Sequence, residues 1–147
     1  MSLETNLTAF EATLRRLGVL FAQIASQQSS AHGTYSKQEL MTVDLLGVRG
    51  ACRMGDLAEH LGVVRSAVTP LIDRLETHGL VERIRSTEDR RVWLVVLTTD
   101  GEQLYAEQAA IYRAISREML ASLTPDEQTI LIALLDRAGQ AVVDSAA

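Results

Sequence analysis

The chain has 147 residues, one domain's worth, and is long enough to bury a core. Apolar residues make up 47% and charged residues 22%, the balance of a folded, mostly helical protein rather than a disordered one. No apolar run approaches the ~20 residues of a membrane span. The first residues lack a signal-peptide layout, and a single cysteine excludes an intrachain disulfide, so we expect a cytoplasmic protein with no membrane partner.

The net charge of −5 is unevenly placed. Basic and acidic side chains balance over residues 1–91. The whole excess lies in residues 92–147, where three basic side chains face eight acidic ones. Binding to a polyanion depends on local placement rather than on the total, so this charge excludes no such partner and suggests none.

In chain order, Leu3, Leu7, Phe10, Leu14, Leu17, Phe21 and Ile24 step by four and three over three heptads. That is a helix with an apolar seam. The seam fits two arrangements, packing on the chain's own core or against a partner subunit. Gln27 to Gly33 is polar and should end the helix.

Ser36-Lys37-Gln38-Glu39 is a capping box. It opens a helix with Leu40, Val43 and Leu46 inward, Met41 a further candidate, its end bracketed by Gly47 and Gly50. Ala51-Cys52-Arg53 reads as a short strand-like link.

Leu57 and Leu61 give the next helix its apolar face, and Gly62 supplies a turn. Val68, Leu71, Ile72 and Leu75 form the stripe of a following helix, closed by Gly79. Leu80 to Arg85 and Val92 to Leu97 are β-rich runs around a charged tip, Ser86 to Arg91. Thr98 to Glu102 begins a long helix with Leu104, Ile111, Ile115 and Met119. Thr124-Pro125-Asp126-Glu127 begins the last, with proline at its first position and Gly139 as a weak point.

Two short helices joined by a glycine turn are a helix-turn-helix, whose second helix enters the DNA major groove. The hairpin adds a wing. The segment resembles the MarR family of bacterial regulators (multiple antibiotic resistance). The resemblance rests on DLAEHLGV, VTPLIDRLETHGLVER, the wing EDRR, and LTTDG after the second strand, all in order. It extends more loosely over the rest of the chain.

The resemblance implies a mainly α fold with a small β-wing. Residues 1–147 would form a single MarR-like domain, with the winged helix-turn-helix over 36–98 and dimerising helices over 1–30 and 99–147. The implied function is a transcription regulator, a repressor, in a bacterial or archaeal cytoplasm. It would act as a homodimer on a palindromic operator in double-stranded DNA, with a small aromatic effector releasing it.

Arg65, Ser66 and Thr69 lie at the start of the second helix, off its apolar stripe. There Arg can bond guanine bidentately, and Ser or Thr can bond bases or phosphates. Pro70 breaks the helical rule, since it deletes one amide bond and crowds the Ser66 carbonyl. Functional sites are where such breaks are expected, and the resemblance implies that the helix continues, since some relatives with VTP or LTP here share the feature. In the family the position of Arg91 enters the minor groove, where A·T-rich narrowing attracts a guanidinium. Arg90 stands beside it. Asp89 would repel phosphate at a DNA-facing tip, so we expect it to brace an arginine in the wing or on the second helix, with Arg74 the candidate. Arg53 and Lys37 are further candidates for backbone phosphate.

Other chemistry is thinly supported. Cys52 could serve a redox-responsive regulator, but it lies away from the start of the first long helix, where that branch of the family carries its cysteine. It reads better as a small buried hydrophobe. His32, His60 and His78 are scattered, so no metal or other cofactor is expected. Arg15 or Arg16 could face an effector carboxylate, with Phe21, Tyr35, Tyr112 and Trp93 as walls, although each is more often a core or surface residue. No phosphate loop, nucleophile elbow or metal dyad points to an enzyme. A winged helix can also be a protein-interaction module without nucleic acid. Arg65, Arg90 and Arg91 together favour DNA over that alternative.

Overall fold

The computed structural model describes residues 2–28 and 34–146. Among these residues six helices and three strands follow in the order α1 (Leu3–Gln28), α2 (Lys37–Arg49), β1 (Cys52–Arg53), α3 (Met54–Leu61), α4 (Arg65–Thr77), β2 (Val81–Arg85), β3 (Trp93–Leu97), α5 (Thr99–Leu120) and α6 (Pro125–Ala146). The fold is mainly α with a small β-wing, as the sequence implied. His32 and most of the polar stretch expected to end the first helix lie outside the described residues. The chain forms two compact units, residues 1–111 and 112–147.

The first unit is built around the winged helix-turn-helix. Val43 and Leu46 from α2, Leu57 from α3, Val68, Leu71, Ile72 and Leu75 from α4, and Val95 from β3 form one buried cluster. These are the stripes read from the sequence, and the helices meet along them. Burying side chains of this kind stabilises by about 1.5–3 kcal/mol each before chain entropy is counted.

Local signals set the helix ends. The Ser36 hydroxyl accepts from the Glu39 N–H, and the Glu39 carboxylate accepts from the Ser36 N–H at 2.7 Å. This closes the expected box at the start of α2. The Thr124 hydroxyl and Glu127 repeat it at the start of α6. Gly62 (φ 63°) and Gly79 (φ 72°) adopt the left-handed conformation that ends α3 and α4. After α3, the Gly62 N–H reaches the Glu59 carbonyl and Val63 reaches Ala58. After α4, Gly79 reaches Glu76 and Leu80 reaches Leu75. Both ends are therefore Schellman caps, and they fix where the chain leaves each helix.

Some boundaries differ from the sequence reading. Leu80 completes the cap of α4 instead of opening a strand. Val92 donates to the Asp89 carbonyl inside the wing turn, so β3 starts one residue later. α2 continues through Gly47 to Arg49. Gly47 is needed inside that helix because a Cβ there would overlap the Tyr105 ring on α5. Pro70 sits within a continuous α4, as expected.

The sheet has strand order β1-β3-β2, all antiparallel. Cys52 pairs with Val95 and Arg53 with Leu94, which makes the short link a true third strand. The base of the wing is tied to α5. The Thr98 N–H donates to the Leu80 carbonyl at 3.0 Å, and the Thr98 hydroxyl donates to the Gly79 carbonyl at 2.5 Å. The same hydroxyl accepts from Gly101. The end of α4 and the start of α5 therefore share one hydrogen-bonded joint.

The N-terminal part of the α1 seam is left open, while Leu17 and Ile24 are partly buried. Leu3, Leu7, Phe10 and Leu14 are half to three-quarters exposed. In the second unit, Ile130, Leu134 and Leu135 on α6 are likewise about half exposed. No helix among the described residues is long and apolar enough to cross a membrane.

Candidate nucleic-acid interface

α4 buries Val68, Leu71, Ile72 and Leu75 and leaves Arg65, Ser66, Thr69 and Pro70 exposed at its N-terminal end. Helical periodicity makes this division, since the buried positions recur at three and four and the polar ones fall between them. The Arg65 guanidinium lies back over Gly55 at the start of α3. A Cβ at Gly55 would stand 3.2 Å from Arg65 Nη2. Pro70 has no N–H to give to the Ser66 carbonyl.

At the wing tip Arg90 and Arg91 are exposed. Ser86 organises the turn, its hydroxyl accepting from the Glu88 and Asp89 N–H groups. The expected bracing by Asp89 takes a different form. Asp89 Oδ1 accepts from the Arg91 backbone N–H at 2.9 Å, so it sets the conformation of the turn, and among the described residues no guanidinium pairs with it. Arg74 faces elsewhere, with its Nε 3.7 Å from Glu39 Oε1. The pairing of Arg74 with Asp89 is thereby corrected. An acceptor two residues before a tip N–H satisfies it locally, whereas α2 offers Arg74 a buried carboxylate, Glu39.

Lys37 and Arg53 are exposed, at the first position of α2 and immediately before α3. Neither stands on α4 or the wing tip.

Several contacts were not visible in the sequence. Glu39 is 95% buried and faces Arg74 and His78, each 3.7 Å from its Oε1. Burial alone would raise this carboxyl. The Ser36 N–H and hydroxyl, His78 and Arg74 outweigh it and hold the carboxyl below its ordinary 4.5. His78 also meets Tyr35 edge-on, with ring centroids 5.2 Å apart. Arg83 on β2 reaches Asp73 at 2.7 Å and also Glu76, both on α4. Arg85 lies 3.9 Å over the Trp93 ring and donates to the Arg90 carbonyl at 2.9 Å. Only the charge types on these elements hinted at such pairs.

The effector candidates are dispersed by element. Arg16 and Phe21 are exposed on α1, and Arg16 donates to Thr13 on the same helix. Arg15 is paired with Glu11. Tyr35 packs on His78, and Trp93 stands on β3 of the wing beneath Arg85. Tyr112 is exposed in the second unit.

Cys52 is buried. Burial and Asp56 push its thiol up, with Arg49 opposing them. A reactive thiolate needs the opposite environment, so the structure supports the buried-hydrophobe reading over the redox one.

Comparison with known proteins agrees with this geometry. The model of the MarR family matches residues 36–93. The chain is 36% identical over 89 residues to the HTH-type transcriptional repressor MdtR of Bacillus subtilis, spanning 60% of this chain and 57% of that protein. It is 31% identical over 113 residues to the HTH-type regulator YkoM of the same organism, spanning 77% and 73%. Its fold matches that of Streptococcus pneumoniae FabT, solved in complex with DNA. The TM-score is 0.77 at 22% identity, covering 96% of this chain and 98% of that one. The chain belongs to the MarR family of winged helix-turn-helix transcription regulators.

Proposed function

We propose that the chain is a homodimeric repressor that binds a two-fold-symmetric site in double-stranded DNA through α4 and the wing. The family is one of regulators, not enzymes.

The observation that carries this reading is a division among arginines. Arg74, Arg83 and Arg85 are engaged inside the winged unit. Arg65, Arg90 and Arg91 are exposed, and no carboxylate among the described residues pairs with their guanidinium groups. They stand on the two elements that a winged helix presents to a duplex. In this reading Arg65, with Ser66 and Thr69, meets base edges in the major groove. Arg91 enters the flanking minor groove, and Arg90, Arg53 and Lys37 meet phosphate.

The homodimer is supported by the uncovered apolar residues of α1 and α6, a length of apolar surface that proteins seldom leave in water. A two-fold dimer reads a near-palindrome, with half-sites about one helical turn apart. Repression follows the name that MdtR carries.

Selection of binding sites from a randomised duplex pool tests the proposal. It should enrich an inverted repeat, and Arg65→Ala should lose preference at one position per half-site. A pool that never enriches at about 0.1 M salt would reject DNA reading and leave a protein-interaction role for the wing.

A further inference from the structure

The wing is held weakly by its own strands. β1 covers β3 only at Leu94 and Val95, so beyond them the hairpin is a bare two-stranded ribbon. Such a ribbon is marginal alone. Yet its tip carries Arg90 and Arg91, whose use on DNA requires a fixed position relative to α4.

Arg83 stands at the root of that ribbon, paired with the fully buried Val95. Its guanidinium is held by two carboxylates of α4, Asp73 through Nη2 and Glu76 through Nη1. Asp73 and Glu76 are three apart, so one helix face presents both. A planar fork can meet both at fixed angles, which a single ammonium cannot. Two residues on, on the same strand face, Arg85 covers Trp93 and holds the Arg90 carbonyl. A continuous line of contacts therefore runs from α4 to the tip.

We propose that Arg83 is a positioning residue that locks the wing to the recognition helix, so that one half-site is read by both as a unit. This rests on the DNA-reading role proposed above. Arg83 itself makes no contact with DNA, because both ends of its fork are occupied within the protein.

A double-mutant cycle tests the coupling. Arg91→Ala should weaken binding to an operator with A·T-rich flanks by about tenfold. In an Arg83→Met background the same change should cost less than about twofold, because the wing no longer sits in its groove. Base preference at the Arg65 position should stay within about twofold. Losses that simply multiply would overturn the proposal. So would a drop in salt slope of about one unit per subunit for Arg83→Met alone, the mark of a phosphate contact.

If Arg83→Met fails to fold, Asp73→Asn and Arg83→Lys weaken the clamp while keeping the arginine or the charge, and the same cycle is run on them. A DNA-free arm uses spin labels at exposed Thr87 and Thr77 in a Cys52→Ala background. The distance distribution should broaden in the clamp variants, and an unchanged width would overturn the clamp whatever the DNA result. A broadened distribution with no duplex binding by the wild type would reject DNA reading and leave the clamp supported.

Discussion

Asp89 is a carboxylate at a tip proposed to face phosphates, and two opposed effects decide what its removal does. Its Oδ1 accepts from the Arg91 N–H at 2.9 Å. Losing one such exposed bond destabilises the bound turn by about 0.5–1.5 kcal/mol. Against this, a unit charge ~8 Å from a phosphate is repelled by about 0.5 kcal/mol in water, and by about 0.2 kcal/mol at physiological salt. With two or three phosphates in range the repulsion totals about 0.5 kcal/mol, so the bond wins at physiological salt. Asp89→Ala should therefore weaken operator binding by roughly 0.5 kcal/mol per wing, or about fivefold for a dimer. Asp89→Asn separates the terms. Its amide oxygen can accept the same bond while the charge is gone, as asparagine does in such turns. It should bind as tightly as the wild type, or more tightly at low salt. Fluorescence anisotropy at two salt concentrations reads both variants. If Asn and Ala weaken or tighten binding equally, the turn needs no internal acceptor and the reasoning is wrong.

Other outcomes follow from the same contacts. Arg91→Ala should make the slope of log affinity against log salt shallower by about 1 or 2 units for a dimer, and should cost more on A·T-rich than on G·C-rich flanks. Equal losses on both flanks would remove the minor-groove role. Glu39→Gln keeps an acceptor for the Ser36 N–H but removes the charge facing Arg74 and His78. It should lower stability in urea by about 1 kcal/mol at neutral pH, a modest figure because both partners are partly exposed. The folded-state pKa of Glu39 lies below its unfolded value, so its contribution is present above about 4.5 and fades as pH falls through the folded value. The gap between wild type and variant should narrow as pH falls below about 4.5, and a gap constant with pH would discard the charge pairing. Gly101→Ala should destabilise by about 1–3 kcal/mol despite alanine's better helix propensity, because a Cβ there would overlap the Leu80 carbonyl. A thermal midpoint at or above that of the wild type would show that the joint between α4 and α5 can yield.

The order of elements was legible in the sequence because its signals are local. The Ser36 and Thr124 boxes, the glycines after α3 and α4, and the α4 stripe each act within one turn. The outward row Arg65, Ser66 and Thr69 follows from the same periodicity. What stayed hidden depends on elements meeting. Arg83 and its two carboxylates are 7 and 10 residues apart and sit on different elements. Arg74 could choose between two acids, and only the packing of α2 on α4 brings Glu39 to it. Asp89 was expected to hold a side chain and holds a backbone N–H, because a turn satisfies its own donors first. Leu80 and Val92 look like strand residues by composition, but the cap and the tip turn use their N–H groups. Nothing in Gly47 announced that Tyr105 would pack against it.

The central claim is that two copies of α4 read two half-sites together. Operator spacing tests it most directly. With the selected inverted repeat in hand, inserting about 5 base pairs between half-sites turns one of them to the opposite face of the duplex. Binding should fall by more than about 100-fold, and an insertion of about 10 base pairs should fail less severely, because the faces realign. A loss below about threefold with the 5-base-pair insertion would mean that each chain reads its half-site alone, contradicting the dimeric account.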